Sequence, residues 1–187
     1  MRSGVADKVK IIQGDIFVED FSQASVVTLY LLEELNARLR PLILKMPPGT
    51  RVVSNTFSMG DWEPDQVIES NGQTAYLWKV PAQVGGNWIV HGLGSDGNSN
   101  AAQIHIDQRH QRLSGTMTSS GKKQALLGTR IEGNILYFSF LNAQDELKHV
   151  KATVDDKHWT GEIVAPYGMV ELILPTQKIT ATRSLVH

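Results

Sequence analysis

The sequence predicts an α+β protein in which a β-α-β segment precedes an antiparallel β-barrel or sandwich. Only one early segment repeats apolar residues at helical spacing, and it lies between two apolar, β-branched runs. After about residue 69, short apolar runs alternate with turn residues and no helical period returns. We therefore predict two parts, residues 1–68 and residues 69–187.

The helix is predicted over residues 32–44, because four leucines form one apolar stripe there: Leu32, Leu35, Leu39 and Leu42. Pro47, Pro48 and Gly49 end it. Residues 25–30 before it are almost all apolar, which predicts a strand covered on both faces, as in a parallel sheet. Residues 50–57 predict the second strand, and the β-branched residues 9–12 predict a short strand ahead of both.

The second part reads as a series of short strands at even spacing, which is typical of a barrel or a sandwich. The predicted strands are residues 74–80, 88–93, 102–106, 111–118, 124–131, 135–141, 147–154, 158–164, 170–174 and 179–183. A barrel of about eight strands can hold one small molecule. Six aromatic residues could line such an apolar ligand site or simply fill the core: Trp78, Trp88, Tyr137, Phe138, Phe140 and Trp159.

Composition excludes several function classes. The net charge is -1, so we expect no nucleic-acid partner. The chain has no cysteine, which excludes disulfides, zinc-thiolate sites and thiol nucleophiles. Neither a signal-peptide pattern nor an apolar run of membrane-spanning length is present, so we expect a cytoplasmic protein without a membrane partner.

Four linked stretches carry a family resemblance: Gly14-Asp15-Ile16-Phe17, residues 26–36, residues 48–54, and Met59-Gly60-Asp61-Trp62. They resemble the C-terminal portion of class I S-adenosylmethionine-dependent methyltransferases, in particular bacterial relatives of the non-SET histone-lysine methyltransferases. The β-rich part resembles the C-terminal extension of some bacterial members. The resemblance implies a truncated Rossmann-like β-α-β segment and S-adenosylmethionine as the cofactor.

The resemblance also implies roles for particular residues. Asp15 would lie near the adenine amino group, and Thr28, Leu29 and Tyr30 would face the methyl donor at the end of a strand. Asp61 and Trp62, with Asp65 nearby, could line a substrate mouth beyond the second strand, where ligands collect in open α/β sheets. Alternatively, Trp62 packs the junction between the two parts while the acids cap or solvate the loop.

The sequence departs from the family at the cofactor motif. No glycine-rich loop precedes Asp15, so we expect weak cofactor binding and impaired activity. The strands that would separate residues 9–12 from residues 25–30 are also missing. The second run would then expose an unpaired edge. We expect either that residues 9–12 pair beside it or that a homodimer completes the sheet across this edge.

Three histidine and aspartate residues of one region, His105, Asp107 and His110, form a weak candidate metal site, because scattered ligands are common by chance. Three functions stay open. The chain could transfer methyl groups to a protein lysine or a small molecule. It could be a non-catalytic barrel module that binds a small apolar ligand or a protein. It could also be a subunit that works with a partner supplying the missing half.

Overall fold

A computed structural model describes residues 4–93, 101–155, 157–164 and 177–184. The helical elements are a 3-10 turn, Ala6–Lys8, and the helix α1, Glu33–Ile43. The strands are β1 Val26–Leu29, β2 Arg51–Asn55, β3 Gln66–Ser70, β4 Gln73–Lys79, β5 Gly86–His91, β6 Ala102–Arg109, β7 Arg112–Ser119, β8 Lys122–Ala125, β9 Leu127–Glu132, β10 Ile135–Leu141, β11 Leu147–Val154, β12 His158–Val164 and β13 Lys178–Arg183. No helix in the described ranges has the length and apolar character needed to cross a bilayer.

The first four strands form one sheet in the order β1-β2-β4-β3. β1 and β2 are parallel and are joined through α1, whereas β4 runs antiparallel to both β2 and β3. The predicted strand, helix and strand are therefore present with nearly the expected bounds. The face that α1 buries overlaps the predicted leucine stripe in part. Leu39 is buried and Leu42 packs on the core, but the other buried residues are Asn36 and Ile43, and Leu32 is 62% exposed.

Residues 9–12 are not a strand, so the prediction that they pair beside β1 is wrong. A β-branched run becomes a strand only where a neighbouring ladder satisfies its backbone groups, and here these residues are exposed and unpaired. The prediction that β1 is covered on both faces is also wrong. Val27 and Leu29 on one face belong to or pack on the core, whereas Val26 and Thr28 on the other face are exposed.

The hairpin β3–β4 belongs to the first sheet, which therefore includes later residues of the sequence than predicted. β3 was missed because all five of its residues are exposed and show no apolar alternation. Asn71 and Gly72, both with positive φ, form the tight turn that joins β3 to β4. The strand predicted over residues 74–80 thus pairs with β2 in the first sheet. The domain boundary predicted between residues 68 and 69 stays a prediction.

Eight of the later strands close into an antiparallel barrel, one of the two architectures that the sequence predicted. The ring runs β6-β5-β13-β12-β11-β10-β9-β7 and closes through pairing of β6 with β7, while β8 extends the sheet beyond β7. Residues 124–131, predicted as one strand, are split into β8 and β9 at the buried Leu126. The strand predicted over residues 170–174 lies outside the described residues.

Two separate clusters of buried side chains form the cores. In the barrel, the Trp88 and Trp159 rings lie 4.7 Å apart, and the Phe138 ring lies 6.0 Å from Trp159. These contacts favour core filling over the lining of a ligand cavity. Trp78 belongs instead to the core of the first sheet. Tyr137 lies on the outer face of the barrel, where the Arg130 guanidinium covers its ring at 4.0 Å.

Candidate functional site

The carboxyl ends of β1 and β2 meet at one edge of the first sheet, and Asn36 of α1 holds the chain that leaves this edge. Its side chain is fully buried. The Nδ2 group donates to Ser54 Oγ at 3.0 Å and lies 3.2 Å from the carbonyl oxygens of Phe57 and Ser58. One buried amide therefore links the helix, the end of β2 and the turn that follows it.

Asn36 also presents an acceptor that lacks a protein partner. Its Oδ1 atom is buried and accepts no hydrogen bond in the described structure. Burying such an acceptor unpaired costs about 1–3 kcal/mol, so an unpaired buried group in a native protein has a functional role or binds water or an ion. The sequence pattern could not reveal this residue, because a polar side chain inside a helical stripe resembles a surface position.

The turn after β2 has an uncommon backbone. Thr56 has φ +70°, a conformation that β-branched residues rarely adopt. Its amide donates to the Thr74 carbonyl oxygen at 2.7 Å, which ties the turn to β4. Ser58 Oγ then donates to Glu33 Oε1 at 2.6 Å, at the start of α1. Strained residues of this kind cluster at ligand sites, and this one lies at the strand end.

The four predicted cofactor residues differ in their surroundings. Thr28 and Tyr30 are exposed at the end of β1, where they are free to contact a ligand, whereas Leu29 is a core residue. Asp15 is also exposed, and its Oδ1 accepts a hydrogen bond from the Phe17 amide at 2.9 Å within its own turn. No hydrogen bond between described residues connects Asp15 to β1, so its cofactor role stays a prediction.

Asp61, a predicted substrate residue, lies between two arginines from different parts of the fold. It pairs with Arg40 of α1 and, at 2.6 Å, with Arg109 at the end of β6. The hydrogen bond from Arg109 is the main reason why the pKa of Asp61 falls from 3.8 to about 2, and the charge of Arg40 lowers it further. Asp61 is therefore ionised at neutral pH, and its charge is already balanced.

Trp62, the other predicted substrate residue, is 1% exposed. Its ring lies 6.0 Å from Trp78 of β4 and 5.9 Å from His110, in the turn between β6 and β7. Its indole nitrogen is buried without a hydrogen-bond partner among the described residues. Trp62 thus occupies the junction between the sheet and the barrel, as the alternative interpretation proposed, and a contact with substrate stays a prediction.

Asp65 is engaged by the neighbouring strand. Its Oδ2 accepts a hydrogen bond from the Lys79 amide at 2.6 Å. Partial burial raises the pKa of this carboxyl group, against the opposing effect of that hydrogen bond. The residue therefore caps the loop after β2, which is the structural role considered for it.

The barrel contributes residues to this region that the sequence did not identify, together with His110, which the sequence suggested only as a metal ligand. The turn between β6 and β7 borders a cleft of about 320 Å³ together with Asp61 and Glu63. Arg112 pairs with the Glu63 carboxylate, and Gln111 Nε2 donates to the Glu63 carbonyl oxygen at 2.6 Å. Burial lowers the pKa of His110 in this turn. Contacts across 48 positions of sequence leave no local pattern, so sequence reasoning had no signal for them.

The candidate metal residues do not converge. His105 Nδ1 lies 2.7 Å from Asn87 Oδ1, and its Nε2 lies 3.4 Å from Asp107 Oδ1. His110 instead packs against Trp62. Within the described ranges no group of three possible ligands is close enough to hold a metal ion.

Comparison with known proteins relates the first part to enzymes of one class. Residues 1–66 match the family model described as the ANTKMT methyltransferase domain. The chain is also 38% identical over 84 residues to a protein-lysine N-methyltransferase of Saccharolobus islandicus (strain REY15A), over 42% of this chain and 52% of that protein. The chain is a methyltransferase relative with a β-rich extension.

A solved structure is also similar to part of this chain. It is an RNA methyltransferase from Salinibacter ruber in complex with S-adenosyl-L-homocysteine. The identity is 49% over 43% of this chain and 54% of that chain, with a TM-score of 0.42. The chain thus spans about half the length of the relatives that it matches.

Proposed function

We propose that this chain takes part in methyl transfer from S-adenosylmethionine to a lysine side chain of a protein. The match of residues 1–66 to a methyltransferase domain and the similarity to a protein-lysine N-methyltransferase support the reaction class and the substrate. The observation that best supports the proposal is the exposure of Thr28 and Tyr30 at the end of β1, beside a turn held by Asn36. A small-molecule acceptor is the alternative within the same class.

We further infer that β1, α1 and β2 form a truncated Rossmann-like segment. The parallel pairing of β1 with β2 through a helical connection supports this inference. In open α/β sheets, ligands bind beyond the carboxyl ends of such strands. This supports a reaction beside Tyr30 and the turn at residues 56–58 rather than in the barrel.

The residues at this edge fit one side of an S-adenosylmethionine site. Tyr30 and Thr28 offer exposed hydroxyl groups, and Asn36 Oδ1 is a buried acceptor without a partner among the described residues. Asp15 is exposed in its own turn ahead of β1, and a contact with the cofactor stays part of the proposal. When bound, the cofactor would supply an activated methyl group. The chain has no glycine-rich loop ahead of Asp15, so we expect it to bind the cofactor weakly by itself.

The residues of this chain would act mainly by positioning. Methyl transfer to an amine requires a neutral nitrogen aligned with the methyl carbon and shielded from water. Asn36 fixes the turn that would flank the acceptor, and Tyr30 would border its path. Asp61 is balanced by Arg40 and Arg109, so its contribution would be to hold the loop in place rather than to attract a lysine.

Calorimetric titration with S-adenosylmethionine and S-adenosylhomocysteine tests the proposal. We expect measurable binding that Tyr30→Ala weakens at least about tenfold, the effect of losing about 1.4 kcal/mol of contact. Tyr137→Ala, on the outer barrel face, is the matched control and should bind as the wild type does. No binding at millimolar ligand would show that the chain alone is not a methyltransferase.

The acceptor is tested separately with radiolabelled cofactor and a lysine-rich unfolded protein. We expect label on the untreated protein and none on the same protein after its lysines have been chemically acetylated, because an amide nitrogen cannot accept the methyl group. Label on both would exclude lysine as the acceptor, and label on added small amines alone would favour the small-molecule alternative.

A further inference from the structure

The outer face of the barrel has a concavity of about 620 Å³ across β9, β10 and β11. Five polar or charged side chains line it: Arg130, Tyr137, Ser139, His149 and Lys151. No acidic residue is among the described residues that line this concavity. It shares none of its lining residues with the strand end of the first sheet or with the cleft at the junction. The concavity is therefore a separate surface of positive charge.

Strand register brings these side chains together. Tyr137 of β10 pairs with Arg130 of β9 on one side and with Lys151 of β11 on the other. Two residues further along β10, Ser139 pairs with His149 of β11. Directly paired residues lie on the same face of a sheet, and so do residues two positions apart in one strand. The five side chains therefore form two adjoining rows on one face of the barrel.

The Arg130 guanidinium is held in place by two contacts. Its central carbon lies 4.0 Å from the centre of the Tyr137 ring, and its Nε donates to Glu132 Oε1 at 3.1 Å. Its terminal nitrogens form no hydrogen bond with any described residue. An arginine that is already held in this way loses little freedom when its terminal nitrogens bind both oxygens of a carboxylate.

His149 adds a second donor. Its Nδ1 lies 2.8 Å from Ser139 Oγ, and both residues are partly buried. When the serine hydroxyl donates to Nδ1, the neutral imidazole carries its proton on Nε2. Nε2 has no hydrogen-bond partner among the described residues. Ser139 thus orients an imidazole whose other nitrogen is available to a ligand.

Lys151 leaves a positive charge without a partner in the concavity. Its exposed ammonium group forms no ion pair with a described carboxylate, although Glu162 is its neighbour on β12. Arg130, in contrast, is already paired with Glu132. A single charge is therefore left to be balanced, which matches a monoanion such as a carboxylate better than it matches a phosphate dianion.

Large apolar side chains are exposed next to the two rows. Leu127 of β9 pairs with Ser139, and a register shift in β9 puts Leu127 on the same face as Arg130. Leu141 of β10 pairs with Leu147 of β11, at the next positions along this face. The exposed fraction is 47% for Leu127 and Leu147 and 37% for Leu141. The charged rows thus continue into an apolar surface, and grouped apolar side chains of this kind mark a binding surface.

We propose that this face of the barrel binds a small-molecule carboxylate with an apolar chain. The carboxylate accepts hydrogen bonds from Arg130, Lys151 and His149, and the chain packs on the three leucines. The charge favours a carboxylate over a neutral ligand, and the leucines favour an apolar chain over an inorganic ion. The site does not depend on the proposed methyl transfer, because it uses no residue of the strand end.

Calorimetric titration of the whole chain with octanoate tests the site. We expect saturable binding that Lys151→Gln weakens at least about tenfold, because a hydrogen bond to a charged group is lost. Lys123→Gln is the matched control, since it removes an exposed cation from β8 outside the concavity, and it should bind as the wild type does. Fluorescence of Trp88 and Trp159 in the barrel core reports whether each variant is folded.

Related ligands test the two halves of the site. We expect octanol, which lacks the charge, and acetate, which lacks the chain, each to bind at least about tenfold more weakly than octanoate. Leu147→Gln should also weaken octanoate binding. These titrations contain no S-adenosylmethionine, so their outcome is independent of the proposed methyl transfer.

Four outcomes would overturn the proposal: no octanoate binding at millimolar concentration, equal binding of octanol, tighter binding of inorganic phosphate, or equal weakening by Lys123→Gln. Sedimentation with anionic lipid vesicles in the absence of octanoate binding would also overturn it, because the face would then be assigned to a membrane surface.

Discussion

At the scale of single residues, Asn36 makes the contacts that hold the candidate site together, although no sequence motif indicated it. Its amide group faces three acceptors from β2 and the turn after it, and its own oxygen is unpaired. The same side chain thus stabilises the turn and leaves a polar atom at the strand end. A buried asparagine with this role should be costly to remove.

We predict that Asn36→Ala lowers the free energy of unfolding by about 2–4 kcal/mol, because the buried Ser54 hydroxyl and two partly buried carbonyl oxygens lose their donor and a cavity remains. Urea unfolding followed by tryptophan fluorescence measures the change. Ser54→Ala is the control, since it removes one of the three acceptors and should cost about 1 kcal/mol. Equal losses in the two variants would show that Asn36 does not hold the turn.

Asp61 makes the folding stability of the chain depend on pH in the acid range. A carboxyl group whose pKa is lowered on folding stabilises the folded state above its unfolded pKa. That contribution disappears as the pH falls through the folded value. For Asp61 the two values are 3.8 and about 2. The contribution of its pairs with Arg109 and Arg40 is therefore complete at neutral pH and lost between about pH 4 and pH 2.

We predict that Asp61→Asn is less stable than the wild type at neutral pH and that the difference shrinks from pH 4 to pH 2. Thermal midpoints measured across this range at constant ionic strength test the prediction. Asp145→Asn removes an exposed carboxylate that pairs with Lys122 at a distant turn, and it serves as the control. A difference for Asp61→Asn that persists unchanged at pH 2 would contradict the assignment.

At the scale of elements, strand pairing in the barrel depends on close backbone contact at glycine. Gly161 of β12 pairs with Ala152 of β11. A Cβ atom at residue 161 would lie 2.5 Å from the Lys151 carbonyl oxygen and 2.7 Å from Ala152 Cα. Both neighbours are backbone atoms of the adjacent strand, so a side chain here must push the two strands apart.

We therefore predict that Gly161→Ala destabilises the protein by about 1–3 kcal/mol, the usual cost of overpacking. Thermal unfolding provides the measurement. Thr160→Ala, at the neighbouring exposed position, should change stability by less than about 0.5 kcal/mol. Equal stability of the two alanine variants would mean that β11 and β12 have room to separate.

Sequence reasoning succeeded where one face of a strand is buried and failed where none is. β10, β11 and β12 have the predicted bounds, and each has buried residues that alternate with less buried ones along all or part of the strand. β3 has no buried residue and left no pattern. Residues 9–12 show the opposite error, since strand-forming side chains predict a strand only where a neighbour exists to pair with it.

The candidate site was predictable in part for the same reason. Thr28 and Tyr30 follow from local strand order and from the family resemblance. The roles of Arg109 and His110 depend on contacts between distant segments, and the burial of Asn36 depends on which face of α1 meets the sheet. Neither the roles of Arg109 and His110 nor the burial of Asn36 can be predicted from the local spacing of residues.

At the scale of the whole molecule, the two cores are separate while the surfaces between them are charged. The buried residues of the barrel core lie between Ala82 and Ala181, and those of the first sheet lie between Leu29 and Val80. Between them, the exposed pairs of Asp61 with Arg109 and of Glu63 with Arg112 contribute little stability each. The packing of His110 on Trp62 supplies the apolar contact.

We predict that residues 81–187 fold alone into the barrel. The ring is closed, so no interior strand loses its neighbour when the first sheet is removed, and its aromatic core is complete without residues 1–80. A single cooperative urea transition of Trp88 and Trp159 fluorescence is expected. Residues 1–80 are the matched fragment and should be less stable than in the whole chain, because they lose the packing of His110 on Trp62 and the pairs of Asp61 with Arg109 and of Glu63 with Arg112. If the barrel fragment shows no cooperative transition, the junction at Trp62 and His110 is required for its folding. The boundary near residue 80 would then not separate two independently folding units.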